Sequence, residues 1–235
     1  MSESQESDFL ARVKERVKTA LGGRYPALVN LCSPVLVRTG AEDFVRSFDL
    51  ERARLVNLGS GSTRFHRKVI NFDIHSYAGV HCVADLARLP LADASVDGIV
   101  SVAVLEHVRI PRDAVREMDR VLRPGGKVCI YIPFMQGIHA SPSDYRRYTP
   151  HGLEVLFREF VNHRVRIGAG PTSGLVWLLQ EWLAMLLSLG SRRLYWFWYF
   201  VLFAITPLKL LDYLLARHPM AKQISSGFTL YAEKP

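Results

Sequence analysis

RLVNLGSGSTRFHRKVINFDI, residues 54–74, is the stretch that decides the fold of this chain. An apolar run at residues 55–58 meets a turn containing Gly59 and Gly61, and a second apolar run, residues 69–72, ends at Asp73. In doubly wound α/β sheets, a strand, a glycine turn and a second strand closed by a carboxylate form an adenosine site. The glycines let the backbone approach a ligand, and Asp73 can accept two hydrogen bonds from ribose hydroxyls.

The spacing between the two strands argues against a dinucleotide site. A dinucleotide fingerprint needs a third glycine and a helix of normal length to cradle the pyrophosphate. Here Ser62 follows the second glycine, and only about ten residues separate the strands. The sequence therefore predicts a very short first helix, which makes a nicotinamide oxidoreductase the weakest interpretation.

Four further segments follow the glycine turn in order. They are HCVADL at residues 81–86, LPLADASVDGIVS at 89–101, VLEHV at 104–108 and LRPGG at 122–126. Together with the turn they resemble, over about 80 residues, the motifs of the class I S-adenosylmethionine-dependent methyltransferases with a methyltransferase type 11-like domain. Two positions depart from that pattern: Asn57 stands where the family usually has Asp or Glu, and Ser62 where a third glycine is frequent.

The resemblance implies S-adenosylmethionine as the cofactor and demands no metal ion. It also implies cofactor contacts, in order from the methionine end through ribose and adenine to the exit of the fourth strand: Asn57, Gly59, Ser60, Gly61, Asp73, Asp85, Leu86, Ser101, Glu106 and His107. Asp85 could instead cap a turn, and His107 could only hold its loop. Because no His, Cys, Asp or Glu cluster has convincing ligand spacing, the sequence predicts no metal site.

The loop after the fifth strand, residues 133–149, supplies the candidate catalytic residues His139, Asp144 and Tyr145. It crosses the carboxyl edge of the sheet, where open α/β folds bind ligands. We expect His139 to take a proton from an acceptor hydroxyl. Asp144, Tyr145 and His107 remain alternative bases, and any of these residues could simply be solvated.

The alternation of apolar segments predicts a doubly wound, mostly parallel sheet of seven strands. The expected strands are residues 55–58, 69–72, 81–84, 97–102, 127–132, 163–168 and 226–232. The chain divides into an N-terminal helical cap (1–48), the cofactor-binding core (49–170), a hydrophobic helical insert (171–224) and the last strand (225–235). An amphipathic helix at residues 8–21 of the cap either packs on the core or rests on a membrane.

The insert is far more apolar than the rest of the chain. Its two runs, residues 175–189 and 194–208, would each cover about 22 Å as a helix, short of the ~30 Å of bilayer hydrocarbon. We therefore expect a helical hairpin that enters one leaflet, with a cationic set facing anionic lipid: Arg192, Arg193, Lys209, Arg217 and Lys222. A Lys209–Asp212 pair would allow a longer helix, and the alternatives are a dimer interface or a lid.

The bulk composition favours an anionic partner and a reducing compartment. The chain has 235 residues, a net charge of +8 and three widely spaced cysteines, Cys32, Cys82 and Cys129. The N-terminus lacks the apolar segment of a secretory signal. The leading hypothesis is a methyltransferase on the cytoplasmic face of a membrane, peripheral or monotopic, with a lipidic or lipid-linked small-molecule acceptor and no nucleic acid. An RNA methyltransferase and a non-catalytic scaffold of a membrane complex are the alternatives.

Overall fold

The computed structural model describes Ser33, residues 35–140 and residues 143–235. These contain one seven-stranded sheet in the order β3-β2-β1-β4-β5-β7-β6. The strands are β1 (Leu55–Leu58), β2 (Ile70–Asp73), β3 (Cys82–Val83), β4 (Val96–Val102), β5 (Leu122–Pro133), β6 (Val161–Ala169) and β7 (Gly227–Glu233). Neighbouring strands are parallel except β7, which is antiparallel to both β5 and β6. The predicted seven-stranded α/β fold is confirmed, whereas the helix predicted at residues 8–21 and Cys32 lie outside the described residues.

The helices in the described residues are α1 (Ala41–Arg46), α2 (Pro111–Val121), α3 (Pro150–Leu156), α4 (Pro171–Ser188), α5 (Arg192–Val201) and α6 (Asp212–Leu215). A 3₁₀ helix, Leu202–Leu211, joins α5 to α6, and a second, Ala221–Ile224, precedes β7. The helix α3 begins at Pro150, where the Thr149 hydroxyl accepts a hydrogen bond from Gly152 N at 3.1 Å and caps the first turn.

The core forms where the buried face of α2 meets the sheet. Ala114, Met118 and Val121 are fully buried in the same cluster as the β4 residue Ile99. Their spacing of three and four residues places them on one face of the helix. This packing fixes the carboxyl edge of the parallel strands, where the predicted site residues lie.

Two boundaries differ from the predictions. Residues 59–69, all of them described, form turns and no helix. Backbone hydrogen bonds, such as that from Ser60 N to Phe72 O at 2.9 Å, hold this segment in its turn conformation. The predicted very short first helix is therefore wrong. The strand β5 begins at Leu122, which pairs with Val96, so the segment predicted as a turn belongs to an irregular strand start.

The insert folds back on itself before the last strand. The helix α4 packs against α5, the following 3₁₀ helix and α6. The buried Asp212 carboxylate accepts hydrogen bonds from Thr172 N at 2.7 Å and Ser173 N at 2.9 Å, and it caps the amino end of α4. Lys209 is only 4% exposed and donates to the Ser33 carbonyl, so the expectation that it faces lipid is wrong.

Candidate active site

The glycine turn after β1 leaves an open space for a ligand. Gly59 and Gly61 both have left-handed backbones, with φ of +67° and +51°. A Cβ on Gly59 would lie 2.4 Å from the Val104 side chain, so this glycine is required for packing. A Cβ on Gly61 would meet no described atom within 4 Å. Gly61 therefore faces the space into which a cofactor can be held against bare backbone.

Asp73 lies across the same turn at the end of β2. Its carboxylate accepts hydrogen bonds from Gly61 N at 2.7 Å and His75 N at 2.9 Å, one on each oxygen. Each oxygen has a further lone pair for a ribose hydroxyl. The side chain is nearly buried, which strengthens such charge-assisted bonds. An open glycine turn beside a preorganised carboxylate fits the adenosine part of S-adenosylmethionine.

The side chain of Asn57 holds this turn by hydrogen bonds. It is 2% exposed, and its amide donates to Thr63 O at 3.3 Å and to Asn71 Oδ1 at 3.2 Å. Asn71 in turn donates to Gly79 O at 3.0 Å. The amide hydrogens of Asn57 thus tie β1 to β2 and to the turn, a role that the sequence pattern did not indicate.

The remaining predicted cofactor residues are divided between surface and core. Asp85 is exposed, and its carboxylate accepts from Ala87 N at 2.9 Å, the turn-capping alternative that the sequence left open. Leu86 packs in the core, so only its backbone is available to a ligand. Ser60 and Ser101 are buried, and Ser101 Oγ has no hydrogen-bond partner among the described residues.

Asp144 is held by an arginine on the loop after β5. Arg147 makes a two-pronged contact with its carboxylate, and His139 N donates to Asp144 Oδ2 at 3.0 Å. The guanidinium of Arg147 holds the pKa of Asp144 well below its usual range. Such a carboxylate is a weak proton acceptor, so its contacts favour a role in shaping the loop. Tyr145 is 49% exposed and is anchored by its backbone N, which donates to Glu106 O at 2.8 Å.

Glu106, His107 and His139 meet at the carboxyl edge of the sheet. His107 Nε2 lies 3.7 Å and His139 Nε2 3.5 Å from Glu106 Oε1. Glu106 is fully buried, and neither carboxylate oxygen has a hydrogen-bond partner within the described part of the chain. The Glu106 carboxylate raises the pKa of His139. The sequence assigned the first two residues to the cofactor and the third to the acceptor, whereas the structure places all three together.

Trp177 of α4 is a site residue that sequence reasoning missed. Its ring lies 5.8 Å from the His139 ring, and its indole N–H donates to Glu181 at 3.3 Å. A Cβ on Gly137 would lie 3.2 Å from the indole. In the sequence Trp177 is one apolar residue in an apolar run, and no local signal separates it from its neighbours. The insert therefore contributes directly to the wall of the site.

Comparison with known proteins agrees with this geometry. The family described as "Methyltransferase domain" matches residues 56–130. A probable S-adenosylmethionine-dependent methyltransferase of Mycolicibacterium smegmatis is 39% identical over 77 residues, which cover 28% of this chain and 30% of the relative. A probable tRNA methyltransferase 9B of Mus musculus is 27% identical over 100 residues, covering 35% of this chain and 22% of the relative. The matched segments thus span less than a third of either relative.

A solved structure extends the likeness to nearly the whole chain. It is a Thermotoga maritima protein described as an S-adenosylmethionine-dependent methyltransferase, possibly acting on histamine, with a TM-score of 0.53 and 15% identity. The alignment covers 94% of this chain and 99% of that one, and at this identity it shows a shared fold. With the strand order, the open glycine turn and Asp73, these findings support a domain of the class I S-adenosylmethionine-dependent methyltransferase family over residues 56–130. The cofactor of this family is S-adenosylmethionine.

Proposed function

We propose that the protein is a methyltransferase of the cytoplasmic face of a membrane, peripheral or monotopic, with a lipidic or lipid-linked small molecule as acceptor. The observation that carries the proposal concerns one helix, α4. At its amino end α4 brings Trp177 against His139, and farther along it exposes an apolar stripe. A single rigid element thus joins the acceptor side of the site to a surface suited to lipid.

The chain's own residues supply binding and alignment. S-Adenosylmethionine carries an electrophilic methyl group, so the protein must mainly hold it, orient the acceptor and exclude water. Asp73 and the backbone at Gly61 would hold the adenosine part. We place the acceptor beside the group of Glu106, His107 and His139, because parallel strands bring such loops to the same edge of the sheet, where open α/β folds bind ligands.

The apolar surface of the insert supports attachment to a membrane. Among the described residues, Arg192–Leu215 is long and apolar enough to cross one, with 24 residues, a mean hydropathy of 1.5 and 11% burial. The exposed apolar stripe of α4 consists of Leu175, Leu178, Leu179, Trp182, Met185, Leu186 and the following Leu189. Surfaces this extensive on a globular protein mark contact with another protein or with lipid.

The arginines at the tip favour a hairpin lying along the membrane surface. Arg192 and Arg193 begin α5 at the end of the hairpin distant from the Asp212 cap. Inserting that end into hydrocarbon would cost roughly 2.5–3.5 kcal/mol per arginine. In the plane of the interface, both arginines and Arg217 at the other end can reach anionic headgroups while the apolar stripes contact acyl chains.

A second candidate is methylation of RNA. The net charge of +8 favours a polyanion, and one relative is described as a probable tRNA methyltransferase. That function would leave the apolar face of the insert without a role, and for this reason we rank it second.

Vesicle binding and methyl transfer test the two candidates together. The full chain should pellet with vesicles of anionic lipid, and the double variant Phe197→Ser, Phe200→Ser should lose at least about tenfold in binding, because two half-exposed aromatic rings leave the interface. The matched control is Val155→Ser, which changes an exposed apolar residue of α3 outside the hairpin.

Labelled S-adenosylmethionine should then transfer methyl to a lipid extract and not to RNA. Transfer to RNA with no vesicle binding would establish the second candidate. Cofactor binding without transfer to either extract would favour a scaffold, and a dimer that dissociates in the double variant would make the hairpin an interface.

A further inference from the structure

The buried carboxylate of Glu106 lacks hydrogen-bond donors among the described residues. The side chain is fully buried, and neither oxygen is hydrogen-bonded by any residue that the structure describes. An ionised carboxylate without a compensating partner is costly in a protein interior. The imidazole Nε2 atoms of His139 and His107 lie 3.5 and 3.7 Å from Glu106 Oε1. Both distances are long for a hydrogen bond.

Each imidazole has Nε2 toward Glu106 and Nδ1 beside a backbone carbonyl oxygen. His107 Nδ1 lies 2.6 Å from Ser143 O, and His139 Nδ1 lies 3.2 Å from Gly137 O. A carbonyl oxygen only accepts, so Nδ1 of His107 carries the proton and the neutral ring presents its Nε2 lone pair to the carboxylate. His139 Nδ1 also lies 3.3 Å from an Arg147 guanidinium nitrogen, so its contacts are compatible with either tautomer. In the tautomer of His139 that also protonates Nδ1, three groups of lone pairs converge on one point, and they repel one another unless a positive charge lies between them.

The geometry points to a divalent transition-metal site formed by Glu106, His107 and His139, with zinc as the best-fitting ion. One ligand atom from each residue falls within a group no more than 4.8 Å across. Zinc bonds of about 2.0–2.1 Å in a tetrahedron place ligand atoms about 3.3–3.4 Å apart, close to the two separations that involve Glu106. Histidines that bind metals through Nε2 commonly donate the other N–H to a backbone carbonyl, and here Nδ1 of both rings lies beside one, Ser143 O for His107 and Gly137 O for His139.

The proposed site differs from the sequence prediction, which expected no metal site. The spacing of Glu106, His107 and His139 along the chain matches no metal motif, because the third residue comes from a different loop. Three protein ligands leave one position of a tetrahedral ion open. If the proposed function holds, that position would take an oxygen of the acceptor. The binding of the ion itself does not depend on that function.

Titration of the metal-free, untagged full chain with zinc tests the inference. Calorimetry should show one saturable site per chain, and cobalt in its place should give the visible spectrum of a four-coordinate ion. Glu106→Gln and His139→Ala should each weaken zinc binding by at least about a hundredfold, since changes only in the residues around metal ligands already cost 10–100-fold. The control is His151→Ala, which removes an exposed histidine beside Glu154 on α3 and should leave binding unchanged.

Further measurements decide between a specific site and a folding defect. The far-ultraviolet circular dichroism spectrum of each variant shows whether the fold is intact, and it does not require methyl transfer. Zinc should also raise the melting temperature of the native chain and not that of Glu106→Gln. Magnesium should do neither, because it prefers oxygen ligands. Equal zinc binding by the native chain and a folded Glu106→Gln variant, or no zinc binding by the native chain below about 100 µM, would overturn the inference.

Discussion

Replacing Asp73 with asparagine tests how the protein holds its cofactor. Each carboxylate oxygen already accepts one backbone N–H, from Gly61 at 2.7 Å and from His75 at 2.9 Å. Each oxygen keeps a further lone pair, which is available to a ribose hydroxyl. Asparagine keeps the shape but loses the charge, and its NH₂ group cannot accept a hydrogen bond.

The expected loss follows from these contacts. Hydrogen bonds to a charged acceptor contribute about 1.5–3 kcal/mol, so losing one charge-assisted ribose contact should weaken binding roughly tenfold to a hundredfold. Isothermal calorimetry with S-adenosylmethionine and with its demethylated product should show the same loss, because both share the adenosine part. Turnover at saturating cofactor should change much less.

A substitution at a second carboxylate, Asp97, is the control that distinguishes a loss of cofactor binding from a loss of stability. Asp97 accepts from Arg54 N at 2.7 Å and pairs with Arg123 at 2.8 Å, at the start of β4 and remote from the glycine turn. Asp97→Asn should therefore lower the melting temperature without changing cofactor affinity. Unchanged affinity in a folded Asp73→Asn variant would remove Asp73 from the site, and tight binding of NADH with none of S-adenosylmethionine would refute the assignment of the cofactor.

Gly61→Ala should reduce cofactor affinity by more than about tenfold, because its methyl group would occupy the open space and strain a left-handed backbone by roughly 1–2 kcal/mol. Gly125→Ala, with a φ of +76° and equally open surroundings, carries the same strain elsewhere and should leave affinity intact in the same calorimetric assay. Asp212→Ala should lower the free energy of unfolding by about 2 kcal/mol in a denaturant titration, because two buried N–H groups at the start of α4 lose their acceptor. An unchanged midpoint would show that this cap contributes nothing.

Features set by neighbouring residues were predictable from the sequence. The strand–turn–strand pattern around Gly59 and Gly61, the carboxylate at Asp73 and the cap at Thr149 each depend on local periodicity, backbone conformation or a contact across three residues. With β5 excepted, the observed strand bounds differ from the predicted ones by at most two residues at either end.

Contacts between distant segments were decided only by the tertiary structure. Glu106 and His139 are 33 residues apart, yet they meet because the parallel strands β4 and β5 release both loops at one edge of the sheet. Trp177 reaches the site because α4 begins directly after β6, and Lys209 is buried because its ammonium meets the Ser33 carbonyl. Hydropathy reports that a segment is apolar, but not which of its residues will face the site, the core or the surface. Which residues face each environment depends on helix packing. In this protein the packing of α4 places part of the apolar insert at one wall of the site.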